Sequence, residues 1–153
     1  MNVPDNFVIR VYGLIVDNSN RILLSDEFQM GMKMTKFPGG GLEFGEGPVD
    51  CLKREFREEC NGQTLKNIRH FYTTDFYQKA LFYPNHQLIS IYYRAELADP
   101  VQLSVSTKPF SFEKMENGNQ SFRWVEISRL SENEVTFPID KIVVQKLISS
   151  FSV

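Results

Sequence analysis

Three glutamates, Glu55, Glu58 and Glu59, stand at i, i+3 and i+4 in the stretch Val49 to Cys60. At helical spacing their carboxylates share one face. In the same stretch Val49, Leu52, Phe56 and Cys60 recur as an apolar stripe, so the acids border the edge that a helix would bury. Glu55 and Glu59 form a like-charged i,i+4 pair, which costs an isolated helix about 0.2–0.5 kcal/mol. Ionised carboxylates at a buried edge also need partners. A plain solvated face leaves both costs unexplained, whereas a divalent cation offsets both. Mg²⁺ takes hard oxygen ligands, keeps several waters and is completed by substrate phosphates. Arg54 lies across the helix from Glu59, within i+4 reach of Glu58.

The flanking residues position this face. Pro48 suits the first helical position, where its missing N–H costs nothing. Asn61-Gly62 supplies the stop, because both residues tolerate the left-handed conformation that ends helices. Upstream, Gly39-Gly40-Gly41 lets the backbone approach a bound group closely. Residues alone therefore point to a metal-assisted diphosphate site, with Gly39 and Gly40 as substrate-contacting backbone.

The stretch from Pro38 to Gly62 resembles the Nudix hydrolase motif. That motif reads Gly, five residues, Glu, seven residues, then Arg-Glu-apolar-x-Glu-Glu-x-Gly-apolar. Gly40, Glu46, Arg54, Glu55, Phe56, Glu58 and Glu59 fall at those spacings. The departure is at the end, where Asn61 replaces the glycine and Gly62 replaces the apolar residue. The resemblance implies that Glu55, Glu58 and Glu59 are metal-binding and catalytic carboxylates, with the choice of base left open. It implies a Glu46–Arg54 ion pair that fixes the loop on the helix. It also implies a further acid from a later loop. Glu116 is the candidate, although the plainer reading is an ordinary solvated acid. Asp26 and Glu27 stand where MutT-like relatives carry a basic phosphate contact, which argues against a close MutT-like substrate mode. Tyr72, Phe76, Tyr92 and Phe112 are the aromatic candidates for stacking on a base. His70 and His86 are isolated and read as structural.

The remaining chain supplies elements to hold the site. Phe7 to Val16 and Arg21 to Ser25 read as strands, joined by the turn cluster Asp17-Asn18-Ser19-Asn20 into an expected hairpin. Met30 to Lys36 has no clear period and reads as a loop. Gly40 to Phe44 is expected to be a short strand, and Leu65 to Tyr77 and Leu88 to Leu97 longer ones. Asp99 to Asn119 reads as a long loop with a short strand inside. Phe122 to Ile127 is a strand, and Ile139 to Phe151 has helical spacing. Strands with two helices imply a sheet covered on both faces. The resemblance makes this an α/β fold, a Nudix-type α/β/α sandwich with a mixed sheet, over a single domain spanning 1–153.

Composition narrows the function. The chain has 153 residues, a net charge of −2 and an apparent pI near 5.7. A dedicated nucleic-acid binder usually carries a strong basic excess, so no nucleic-acid partner is expected. Cys51 and Cys60 are expected on opposite sides of one helix and cannot bridge. With no signal peptide or spanning segment recognised, a cytoplasmic enzyme is expected. The implied activity is an Mg²⁺-dependent hydrolase, Mn²⁺ being acceptable, of a nucleoside diphosphate linked to another group. The substrate is then a small-molecule nucleotide: a triphosphate, a nucleotide sugar or a dinucleotide. A homodimer stays open. The alternative is a non-catalytic, nucleotide-sensing module of the same fold, but such modules tend to lose the motif glutamates. An isoprenoid diphosphate isomerase would need a catalytic Cys outside the motif.

Overall fold

The computed structural model describes residues 3–151. Its elements in chain order are β1 (Asn6–Ile15), β2 (Arg21–Gln29), β3 (Met32–Lys36), β4 (Gly39–Gly41), α1 (Pro48–Glu59), β5 (Leu65–Thr73), β6 (His86–Leu97), β7 (Asn119–Glu126) and α2 (Pro138–Phe151). A four-stranded sheet runs β4-β1-β6-β5 and a three-stranded sheet runs β3-β2-β7. The first is mixed: β1 is parallel to β6 and antiparallel to β4, while β5 is antiparallel to β6. The chain is thus an α/β fold with a mixed sheet.

Alternation along β1 explains the layers. Val11 and Ile15 face one side, where they pack with Cys51, Leu52 and Phe56 of α1. Tyr12, Leu14 and Val16 face the other side, with Val143, Val144 and Leu147 of α2. A period of two therefore gives each helix its own core. Each fully buried Leu or Phe contributes about 1.5–3 kcal/mol, so both helices are held by packing more than by propensity.

Three expectations are corrected. The first strands do not form a hairpin: β1 and β2 enter different sheets and meet only at the Val16–Ile22 bridge among the described residues. The turn that joins them is tightened by Asp17, whose carboxylate accepts from the backbone N–H of Ser19 and Arg21. Met32–Lys36 is a strand paired with β2, not a loop; the tight turn lies at Met30 and Gly31, both at positive φ. Its inner end, Met34 to Lys36, is buried without alternation, which hid the period. The stretch Asp99 to Asn119 holds no strand up to Gly118, and β7 begins at Asn119.

The helix end behaves as expected. Asn61 has φ 55° and Gly62 φ 79°, and the Gly62 N–H donates back to the Arg57 carbonyl at 3.0 Å. At Cys60 the backbone leaves helical geometry (φ −123°, ψ 42°). Cys51 and Cys60, expected on opposite sides, enter one core on either flank of Leu52 and Phe56; both thiols are buried and free.

Candidate active site

The glycine run forms β4 against β1, with Gly40 opposite Val11 and Gly39 opposite Tyr12. Antiparallel pairing there leaves no room for side chains. A Cβ on Gly39 would lie 2.0 Å from the Val11 carbonyl oxygen, and one on Gly40 would lie 2.3 Å from the Glu55 carboxylate. The absent side chain at Gly40 is what lets Glu55 rest against the backbone.

Arg54 ties loop to helix. Its Nε donates to Glu46 Oε2 at 2.9 Å and its Nη2 to Glu46 Oε1 at 2.8 Å, a two-pronged pair. Nη2 also donates to the Gly41 carbonyl at 3.0 Å, and Nη1 reaches Glu55 at 3.0 Å and Glu58 at 3.2 Å. The hydrogen bonds from Arg54, and then the Glu43 backbone N–H, hold the Glu46 carboxyl well below the usual range. Beneath this network the Cys51 thiol is pushed up to about 12, by burial first and then by Glu46. It stays protonated and unreactive.

A cavity of about 410 Å³ opens above the glycine run. Its lining includes Gly39, Gly40, Glu55 and Glu59 from the motif, and Glu27 from β2. Glu27 is buried; it accepts from Ser25 Oγ at 2.8 Å and pairs with Lys36 Nζ at 3.4 Å. Gln120 of β7 bridges the acids, donating to Glu27 at 3.1 Å and more weakly to Glu59 at 3.4 Å. Desolvation, then the charge on Glu55, and less strongly that on Glu27, raise the Glu59 carboxyl to about 7. Crowded carboxylates of this kind are what a divalent cation relieves. Among the described residues no three His, Cys, Asp or Glu side chains are gathered closely enough to hold a metal ion.

The same lining is also aromatic and polar. Tyr12, which pairs with Gly39, contributes to it with Phe82, Tyr83, Tyr92, Arg10 and Asp140. Tyr92 donates to Asp140 at 2.6 Å, and Arg10 Nε to the Tyr12 hydroxyl at 2.7 Å. Burial raises the Asp140 carboxyl to about 6.

The expected site residues are therefore divided. Glu55, Glu59, Gly39 and Gly40 come together at the cavity, and Glu46 and Arg54 form the expected pair. The Glu58 side chain is 58% exposed, outside the cavity lining and turned to Arg54. Glu116 sits on an exposed loop away from the lining, its carbonyl accepting the Asn119 N–H at 3.1 Å. Of the four aromatic candidates only Tyr92 lines the cavity. His70 bonds Thr73 and His86 bonds the Pro84 carbonyl, both outside it. Arg10, Gln120 and Asp140 had no sequence signal of a role, since each is far in sequence from the motif, and Lys36 fell in the stretch read as a loop.

Comparison with known proteins agrees with this arrangement. An RNA pyrophosphohydrolase of Bartonella bacilliformis is 24% identical over 128 residues, which is 78% of this chain and 72% of that one. A MutT structure from work on the Aliivibrio salmonicida and Vibrio cholerae proteins has a TM-score of 0.64 and 20% identity, covering 95% of this chain and 100% of its own. A NUDIX hydrolase structure from Nitrosomonas europaea gives 0.65 at 16% identity, over 95% of this chain and 90% of its own. The model of the NUDIX domain matches residues 7–147, nearly the whole of the described fold and all of the motif, and so the chain belongs to the Nudix family.

Proposed function

We propose that this Nudix pyrophosphohydrolase cleaves a phosphoanhydride in a nucleoside diphosphate linked to a second group. The observation that carries the reading is one cavity lined by carboxylates, bare glycine backbone and aromatic rings together. A diphosphate suits the carboxylates and glycines, and a nucleobase suits the rings. Glu55, Glu58 and Glu59 are the residues that would hold Mg²⁺ or Mn²⁺. When bound, the cation neutralises phosphate charge and favours ionised water.

The protein's own groups do the rest. Glu59, with its carboxyl near 7 before any cation binds, has a proton affinity suited to accepting a proton from water at neutral pH. Gln120 restrains its orientation. Arg54 donates to Glu55, which rests against Gly40, and to Glu58 beside it on the helix. Arg10, Lys36 and Lys79 are the cations of the cavity lining and attract the anionic part of a substrate. No nucleophilic Ser-His or Cys-His pair is present among the described cavity residues, so direct attack of water on phosphorus is the simpler route.

The substrate panel should hold nucleoside triphosphates, nucleotide sugars and dinucleotides. The Bartonella relative's name adds an RNA to that panel. With Mg²⁺ in ¹⁸O-labelled water, one label should enter a phosphate product and a nucleoside monophosphate or its RNA equivalent should form. Glu59→Gln should lower turnover by orders of magnitude and leave the fold intact. Label in a nucleoside or sugar fragment, or near-full turnover by Glu59→Gln, would overturn the reading.

A further inference from the structure

Further along β1 and β6 from the active-site cavity lies a second cavity, polar and about 310 Å³, lined by Asn18, Asn20, Asn67, Arg69, Arg94 and Glu96 among others. Its two arginines face each other directly, Arg69 on β5 opposite Arg94 on β6. A bulge creates that pairing. Lys66 faces Glu96, and the register then shifts by one residue before Arg69. Within the shift Asn67 takes a left-handed φ of 55°. Unbulged, the strand would set apolar Ile68 opposite Arg94; the extra residue re-aims a guanidinium there instead.

Like charges directly opposite on a sheet are destabilising. Burial, and next the charge of Arg69, disfavour charged Arg94 more than Glu96 favours it. Among the described residues neither guanidinium is in an ion pair. Arg94 is held from one side only, its guanidinium 5.0 Å from the centre of the Phe151 ring. The neighbouring carboxylates are engaged elsewhere. Asp17 pairs with Arg21 at 2.7 Å and accepts the Ser19 N–H at 3.0 Å. Glu96 accepts from Asn67 Nδ2 at 2.8 Å. Two cationic forks on directly paired positions suit an oxyanion, which guanidinium groups grip in pairs of hydrogen bonds.

We propose that the Arg69–Arg94 pair is a binding site for a phosphate group, separate from the hydrolytic cavity. Its ligand is either free inorganic phosphate or the terminal phosphate of a nucleoside monophosphate.

Metal-free protein, ¹⁵N-labelled, should be titrated separately with inorganic phosphate and with AMP, each against sodium chloride at matched ionic strength. Saturable shifts are expected at the amides of Asn67, Arg69 and Arg94 with phosphate. Arg69→Gln should weaken that binding by about tenfold or more and leave any shifts at Gly39 to Gly41 unchanged. Arg69 is exposed, so this variant folds. Saturation with AMP but not with phosphate would assign the site to an esterified phosphate. No saturable shift at these residues with either anion, or equal affinity in Arg69→Gln, would overturn the proposal.

Discussion

Asp140→Asn isolates one buried carboxyl. Asp140 stands in the first turn of α2, 3% exposed, accepting the Tyr92 hydroxyl at 2.6 Å. Burial raises it from 3.8 to about 6, against the smaller downward pulls of Tyr92, Lys36 and Arg10. A shift of that size corresponds to about 3 kcal/mol. The folded state holds this proton more tightly than the unfolded chain. Its stabilising contribution is therefore complete below the unfolded value of 3.8 and lost as pH rises to about 6. Asparagine keeps an acceptor for Tyr92 and cannot titrate. The stability of the wild type minus that of Asp140→Asn should then fall by up to about 3 kcal/mol between pH 4 and 7. In melting temperature that is about 6–12 °C. Urea and thermal unfolding of both proteins at each pH measure it, and carboxylates common to the two cancel. A difference that stays constant would refute the argument. One that rises with pH would show that Lys36 and Arg10 outweigh desolvation.

Three further outcomes are expected. Gly40→Ala should cut hydrolysis by about a hundredfold or more, because the new Cβ takes the place of the Glu55 carboxylate; near-normal turnover would mean that Glu55 works from elsewhere. Arg54→Met should lower the denaturation midpoint, since Glu46 and Glu55 lose their shared partner; an unchanged midpoint would show that solvent replaces it. Asn61→Gly should be nearly neutral while Asn61→Val costs about 1 kcal/mol or more at φ 55°, and equal melting temperatures would reject the strain.

The motif was readable because its information is local. Spacing alone places Glu55 and Glu59 on one face, Pro48 at the first helical position and Asn61 at the stop. Pairing partners are not local. Nothing in Phe7 to Val16 says that β1 lies beside β6, about eighty residues on, so the neighbouring strand in sequence was taken as its partner. Buried charge is equally opaque. Asp26 is fully buried because Arg123 and the Thr35 hydroxyl meet it at 2.7 Å. Glu27 is buried beside Lys36 and Ser25. Without those partners both residues read as ordinary surface acids. Gln120, an uncharged residue, had no reason to be singled out; only the register of β7 against β2 brings it opposite Glu27.

The separation of the two cores has a consequence for how such a molecule can change. Glu55 and Glu59 of the cavity lining hang on α1 and its core, and Asp140 of the same lining comes from α2 and the other core. The sheet between them, β1 beside β6, acts as a partition. Substitutions that repack α2 against Tyr92 can therefore redraw the outline of the recognised group while Glu55 and Glu59 keep their places. Ligand preference and bond-breaking are separately adjustable, so drift in one need not disable the other.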